Sequence, residues 1–484
     1  MRKIFIPIYI IIISCGIVSC DKFLDVKPKG YTIPQFYEDY AKLMNNMDLV
    51  RVSAAYPNYI TDDVRAGDIG DPSKSANWNL LADYKKYLYK FENGAVFLPG
   101  VSDPLWEPAY SHIYTYNIII NNIMDVPDAT DDEKKALRAE ALVGRALEYL
   151  LLVNAYANHY DPQTADKDLG VPLVLSEDIN AKYKRNTVAE VYALIKNDLE
   201  EGLADLPTQP KNIFRPSKSV GYAFLGRMYL YMGNYAEALK NAKSALELNS
   251  SLLDYKLYTN KEGVTFGRVC LAADNTVRFP NPELSDESIW VKFGSSRSSS
   301  VNAEVYVSDD LLNIFSTDLP SGAIDKRRQL FYCDGYSKFS SRTVLFPGKV
   351  LYAPYVDFNL ALSTPELYLV AAECEARVGD KDKAINYVNS LRDYRIENNQ
   401  PLMAANKEQA LDIVLRERRR EFCFVGCTRL IDLKRLNRES RYAKDITHTT
   451  DGENYTLPAN DQRYILPVPP KVLEFNPNIP QYER

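Results

Sequence analysis

The residues best suited to chemistry lie in two loop-like stretches: Asp63, Arg65, Asn77 and Trp78 in the first, Arg297 and Tyr306 in the second. An aromatic ring offers a flat apolar face, while carboxylate, amide and guanidinium groups bridge neighbouring hydroxyls, so this set suits sugar recognition without bond breaking. The first stretch, residues 62–78, also carries Asp62 and Asp68 among Gly, Pro and Ser, the residues of turns and loops. Trp78 is the leading platform because Asn77 and Asn79 flank it with amides. The alternative is a tryptophan that fastens the loop to the core, since Trp is largely buried wherever it occurs. Trp290, inside the alternating run Ser288-Ile289-Trp290-Val291, is assigned to the core. Arg297 and Tyr306, in and beyond a serine-rich run, are the secondary ligand candidates.

Bond-breaking constellations are missing from the sequence. There is no G-x-S-x-G elbow and no H-E-x-x-H pair, and Gly348-Lys349 lacks the upstream glycine of a phosphate loop. His112, His159 and His448 are the only histidines, far apart and without metal-ligand spacing, so each reads as a surface or satisfied histidine. No cofactor, no metal and no catalysis are expected. A glycosidase needs only two carboxylates at the right separation, and among 64 acidic residues such a pair is not ruled out, which keeps a glycoside hydrolase as a less favoured reading. The net charge of −6 gives the chain no electrostatic footprint for nucleic acid or anionic lipid.

The first residues address the compartment. Arg2 and Lys3 precede an apolar run from Ile4 to Ile13, and Gly16-Ile17-Val18-Ser19 leads to Cys20. The order of charge, apolar run and small residues is that of a secretory signal, and the approach to Cys20 resembles a bacterial lipobox, which implies acylation of Cys20 after removal of residues 1–19. The run is too short for a permanent span of roughly 18 apolar residues. Cys270, Cys333, Cys374, Cys423 and Cys427 form an odd, scattered set, which argues against a disulfide framework, and Cys423 and Cys427, with no His nearby to complete a zinc site, read as buried core thiols.

Positioning falls to helices. Leu142, Ala146, Tyr149, Leu150, Val153 and Ala157 mark one face of a helix within 131–160, and residues 187–206 repeat the pattern behind a capping box of Thr187 and Glu190. Residues 217–232 and 234–249 read as two antiparallel helices around Gly233, with Asn234 and Glu237 as a cap. Gly226, Tyr229, Gly233, Tyr235, Ala238 and Ala245 have tetratricopeptide-like spacing, and Ala372, Gly379, Ala384 and Leu391 form a weaker copy. Residues 250–365 lose this period and read as loops and short strands. In Arg416–Arg420, Glu417 and Glu421 interleave with arginines at helical spacings, which favours ion pairs within the chain. The expectation is a mainly α fold: a tetratricopeptide-like layer of helix pairs supporting a loop-rich half with short strands.

Together these segments resemble the SusD/RagB family of Bacteroidetes surface lipoproteins. The resemblance rests on Cys20 to Pro28; on Trp106, Tyr110, Ile113 and Asn117; on Gly170 to Leu173; and on Arg185, Thr187, Val188, Val191, Tyr192, Asp198 and Leu199. It continues through Arg418 to Phe422, Gly426, Arg429, Asp432 to Arg435, Leu466 to Pro469 and Asn476-Pro477. Val425, where the family commonly has Glu, and the close Pro480-Gln481-Tyr482 depart from it. The resemblance implies a ligand face that includes residues 62–78, outer-membrane anchoring, and a SusC-like TonB-dependent transporter beneath. It also implies an N-terminal region over 20–250 and a C-terminal region over 251–484, packed as one composite domain. A helical-repeat scaffold or adhesin is the rival reading.

If Cys20 carries the anchor, Cys20→Ala should move the protein from the membrane fraction to the soluble or unprocessed pool. Membrane partition of wild type and variant, followed by immunoblot, checks this, and unchanged partition would refute the anchor.

Overall fold

The computed structural model describes residues 34–52, 54–67, 76, 78–178, 181–260, 269–294, 304–339, 342–354 and 356–484. The leader, Cys20, Asn77 and Arg297 lie outside the described residues. Among the described residues nine helices form the scaffold: α1 (Trp106–Asn122), α2 (Asp131–Tyr156), α3 (Val188–Asp205), α4 (Lys218–Tyr231), α5 (Tyr235–Leu248), α6 (Thr364–Val378), α7 (Lys381–Arg392), α8 (Lys407–Phe422) and α9 (Thr428–Leu436).

Helix α2 starts at a capping box, with Thr130 Oγ1 accepting from the Glu133 amide at 3.3 Å and Glu133 Oε2 accepting from the Thr130 amide at 2.9 Å. It is buried at every position from Ala139 to Leu150, as befits a helix enclosed by others. It packs between α1 and α3. Gly144 is required here, because a Cβ would overlap the ring of Tyr116 on α1. The expected cap of α3 is present: Thr187 Oγ1 accepts from the Glu190 amide at 3.2 Å. So is the expected turn, where Gly233 at φ +73° joins α4 to α5 and Asn234 Oδ1 accepts from the Glu237 amide at 3.3 Å. The weaker copy is the α6–α7 pair, and α6 packs on α5, extending the layer towards α8.

The loop-rich half consists of two-stranded ladders, most of them two or three residues long. They join segments distant in sequence: Arg51–Val52 with Phe293–Gly294, Val64–Arg65 with Tyr306–Val307, Ser288–Trp290 with Leu362–Ser363, and Ile324–Asp325 with Ile396–Glu397. The longest is the antiparallel hairpin of Tyr332–Phe339 and Arg342–Tyr352. One apolar cluster runs through both halves, from Val52 to Ile479. Trp290 belongs to it, 1% exposed, and its Nε1 donates to the Phe214 carbonyl at 2.9 Å. The five described cysteines are free and buried. Burial pushes the Cys333 and Cys423 thiols up to about 12 and Cys427 to about 11, as inert core thiols require.

The arginine run of α8 pairs within the chain, as its spacing indicates, but mostly with other elements. Only Arg420 to Glu417, at 2.8 Å, is a local pair. Glu417 also meets Arg327 at 2.7 Å and Arg392 at 3.1 Å; Glu421 meets Arg327 at 2.8 Å and Arg395 at 2.9 Å. Arg418 reaches Asp432 at 2.9 Å, and Arg435 joins Asp432 to Glu373. Removing one partner from such a buried set strands the others, so Glu417→Ala should destabilise the fold by about 3–5 kcal/mol in urea unfolding. Burial opposes the Asp432 charge, yet Arg418 and Arg435 hold its pKa down to about 2. That is below the roughly 3.9 of an unfolded aspartate, so its contribution is complete at neutral pH and fades as pH falls from about 4 through about 2. The stability gap between parent and Asp432→Asn should therefore close in that window; a pH-independent gap would contradict the assignment.

Candidate ligand-binding face

Two polar segments meet at the ladder of Val64–Arg65 with Tyr306–Val307. Ser308 locks it, its amide donating to the Asp63 carbonyl at 2.9 Å and its hydroxyl to the Asp62 carbonyl at 2.6 Å. The same hydroxyl accepts from the Leu311 amide at 3.2 Å and caps the helix Asp309–Ser316. Beneath lie the two aspartates. Arg429 grips Asp62 through two hydrogen bonds of 2.8 and 2.7 Å, and Arg419 meets Asp63 at 2.7 Å. Burial opposes the Asp62 charge, but Arg419, Arg429 and Lys444 outweigh it and hold the carboxyl well below its usual range. For Asp63 burial dominates and its pKa is raised.

Sequence reasoning placed Asp63, Trp78 and Tyr306 on a ligand face; the structure places all three in the interior, at 0, 4 and 1% exposed. Asp63 is held by Arg419 because an unpaired buried carboxylate is costly. Tyr306 packs 5.7 Å from Phe346 in a cluster with Ala76, Cys333, Val344 and Leu351. Trp78 lies edge-on to Tyr89 at 5.1 Å, with Lys90 Nζ 5.9 Å from its ring. The Tyr89 hydroxyl accepts from the Ala66 amide at 2.8 Å, and its ring stacks on His448 at 4.2 Å. Trp78 thus fastens its segment to the core, the alternative that its residue type allowed. Arg65 remains at the surface, 44% exposed, opposite Asp309 at 3.6 Å.

Three features escaped the sequence reading. The backbones of Gly67, Ala76 and Trp78 approach so closely that a Cβ at Gly67 would stand 3.0 Å from the Trp78 amide nitrogen, so the two ends of this loop meet. Glu304 accepts from the Tyr59 hydroxyl at 2.5 Å and from Lys85 Nζ at 2.6 Å, tying the second segment to the helix Asp83–Tyr89. The hairpin turns Val344 and Phe346 inward onto Tyr306, which leaves the paired Tyr336 and Leu345 outward at 54 and 60% exposed. The run Tyr332 to Phe339 shows no clean alternation, interrupted as it is by Gly335, so no local signal marked Tyr336 as an exposed ring. The surface is therefore a polar rim over a fixed aromatic bed. Among the described residues no group of His, Cys, Asp and Glu has the geometry for a metal ion.

Two family models match this chain: one described as starch-binding and associating with the outer membrane, over residues 22–230, and the SusD family, over residues 364–483. The chain belongs to the SusD/RagB family. SusD-like proteins P2 and P25 of Formosa agariphila are 22 and 23% identical to it, over 99% of this chain and 99 and 97% of theirs. A SusD superfamily protein of Bacteroides thetaiotaomicron shares the fold with a TM-score of 0.68 at 20% identity, over 93% of this chain and 100% of that one. A putative sugar binding protein of Bacteroides vulgatus follows with 0.67 at 20% identity, over 93 and 99%. The SusD/RagB segment Arg418–Phe422 contributes structure here, since its arginines are buried in ion pairs.

Because Trp78 anchors this region, Trp78→Ala should cost about 3–5 kcal/mol of stability, as truncation of a buried tryptophan does. Chemical denaturation measures it; an unchanged midpoint would show that the ring carries no packing.

Proposed function

We propose that this protein captures an oligosaccharide at the cell surface, without cleaving it, and passes it to a SusC-like TonB-dependent outer-membrane transporter. The observation that carries the reading is Tyr336, a half-exposed ring on a hairpin whose other face is packed on Tyr306 and Ala76. A ring held in place stacks on a sugar with little ordering cost. Arg65 supplies a polar contact at the rim, Asn77 and Arg297 are proposed as further ones, and Trp78 fixes its own segment to the core. The family membership supports this reading, as do the starch-binding description of the matching family and the sugar-binding description of the B. vulgatus relative. Anchoring is through acylated Cys20 at the outer membrane. In keeping with this, no helix among the described residues is long and apolar enough to cross a membrane.

Titration calorimetry against a panel of soluble glycans tests the proposal, with chromatography of the glycans afterwards. Binding with unchanged chain length is expected. Tyr336→Ala should weaken it by about 1–3 kcal/mol while shifting stability by no more than about 0.5 kcal/mol, as surface changes do. A protein that binds no glycan would be a scaffold, and one that shortens its ligand a hydrolase; equal binding by the variant would move the platform elsewhere.

A further inference from the structure

The run Glu92-Asn93-Gly94-Ala95 contains the chain's one Asn-Gly pair. It lies in the loop between the helix Asp83–Tyr89 and α1, where these residues are exposed and buried Phe91, Val96 and Phe97 flank them. Both ends of the loop are fastened. The Phe91 ring stacks on His448 at 4.6 Å and its carbonyl accepts from Arg463 Nη1 at 3.2 Å, while the Phe97 ring stacks on Tyr84 at 5.0 Å.

An asparagine side chain is an electrophile next to its own backbone, because the amide nitrogen of the following residue can attack Cγ. A Cβ on that following residue crowds the approach, and hydrogen bonds to the side chain or the amide hold them apart. Neither obstacle is present at Asn93. Gly94 has no Cβ, its φ is +89°, and even an added Cβ would meet nothing within 4 Å. Among the described residues neither the Asn93 side chain nor the Gly94 amide has a hydrogen-bond partner. Asn389, which precedes Ser390, is the contrast: its Nδ2 donates to the Leu402 carbonyl at 3.1 Å and its Oδ1 accepts from the Leu402 amide at 2.9 Å.

A cation stands beside the reacting nitrogen. Arg484 Nη1 donates to the Gly94 carbonyl at 2.6 Å and Nη2 to the Arg463 carbonyl at 3.4 Å. Arg463 is itself paired with Asp461 at 2.8 Å, and among the described residues no carboxylate lies within ion-pair distance of Arg484. Burial and Arg463 draw the Arg484 pKa down to about 10, which leaves the guanidinium charged at neutral pH. A nearby positive charge favours the anionic form of a group, here the deprotonated Gly94 amide that attacks.

We propose that Asn93 is a self-modification site, converted by the Gly94 amide to aspartate and isoaspartate through a cyclic imide, with Arg484 promoting the step. The Gly94 nitrogen gives its proton to water and bonds to Asn93 Cγ; the Cγ–Nδ2 bond breaks, and ammonia leaves with a proton taken from water. Water then opens the imide, so that an amide and water become an acid and ammonia without oxidant or reductant. Opening at the former side-chain carbonyl gives aspartate. Opening at the backbone carbonyl gives isoaspartate, whose main chain is longer by one methylene, taken up in the exposed residues between Phe91 and Val96. The new carboxylate supplies the counter-charge that Arg484 lacks.

Peptide mapping by mass spectrometry, on purified protein aged in mildly alkaline buffer made with heavy-oxygen water, tests this. Asn93 should convert about tenfold or more faster than Asn389, giving aspartate and isoaspartate that both carry oxygen from the water. Direct hydrolysis of the side-chain amide would give aspartate alone. Arg484→Met should slow the conversion about threefold at low ionic strength. Salt added to the parent should slow it too, by screening the same charge without any substitution in the loop. The proposal is overturned if Asn93 converts no faster than Asn389, if aspartate forms without isoaspartate, or if Arg484→Met or added salt leaves the rate unchanged.

Discussion

Buried charge on α8 is the constraint around which the other elements are arranged. Glu417, Arg418, Arg419 and Arg420 are all at most 7% exposed, and a charge taken out of water is tolerated only when paired and hydrogen-bonded. Each must therefore be met by a partner brought from another element. Asp63 comes from the N-terminal region, Arg327 from the loop-rich half, Arg392 from α7 and Asp432 from α9. The short ladders could not hold the irregular half alone, because two or three residue pairs bury little and contribute few hydrogen bonds. The ion pairs fix where these segments must lie, and the shared apolar cluster provides the bulk of the burial.

The proposed ligand face inherits its rigidity from that arrangement. Arg419 and Arg429 hold the Asp62-Asp63 turn, the turn aligns Val64–Arg65 with Tyr306–Val307, and Tyr306 seats the hairpin that displays Tyr336. The first two steps are contacts between residues hundreds of positions apart. A surface so supported need not order its own bed before a ligand docks, which would favour affinity from few contacts.

Much of the scaffold was legible because its signals are local. Apolar steps of three and four residues, Thr187 with Glu190, Asn234 with Glu237, and Gly233 at a left-handed turn describe structure settled within one or two helical turns, and the helices lie where those marks put them. The alternation around Trp290 likewise identified a buried strand. The arginine run announced ion pairs but not their partners, since its helical spacing makes an i,i+3 neighbour visible and an aspartate 356 residues away invisible.

The sequence by itself determined the helical layer, its caps and turns, the buried thiols Cys423 and Cys427 and, through motifs spread along the chain, the family. Tertiary structure alone decided which of these side chains reach the surface. Trp78, Asp63 and Tyr306 have the residue types of a sugar site, yet neighbours from Tyr89, Arg419 and Phe346 enclose them. Tyr336, without any local mark, stands outside because Val344 and Phe346 on the facing strand turn inward. Residue type and local period fix what a side chain can do, whereas exposure in loops depends on which remote segment packs over it, and that is set only when the chain is folded.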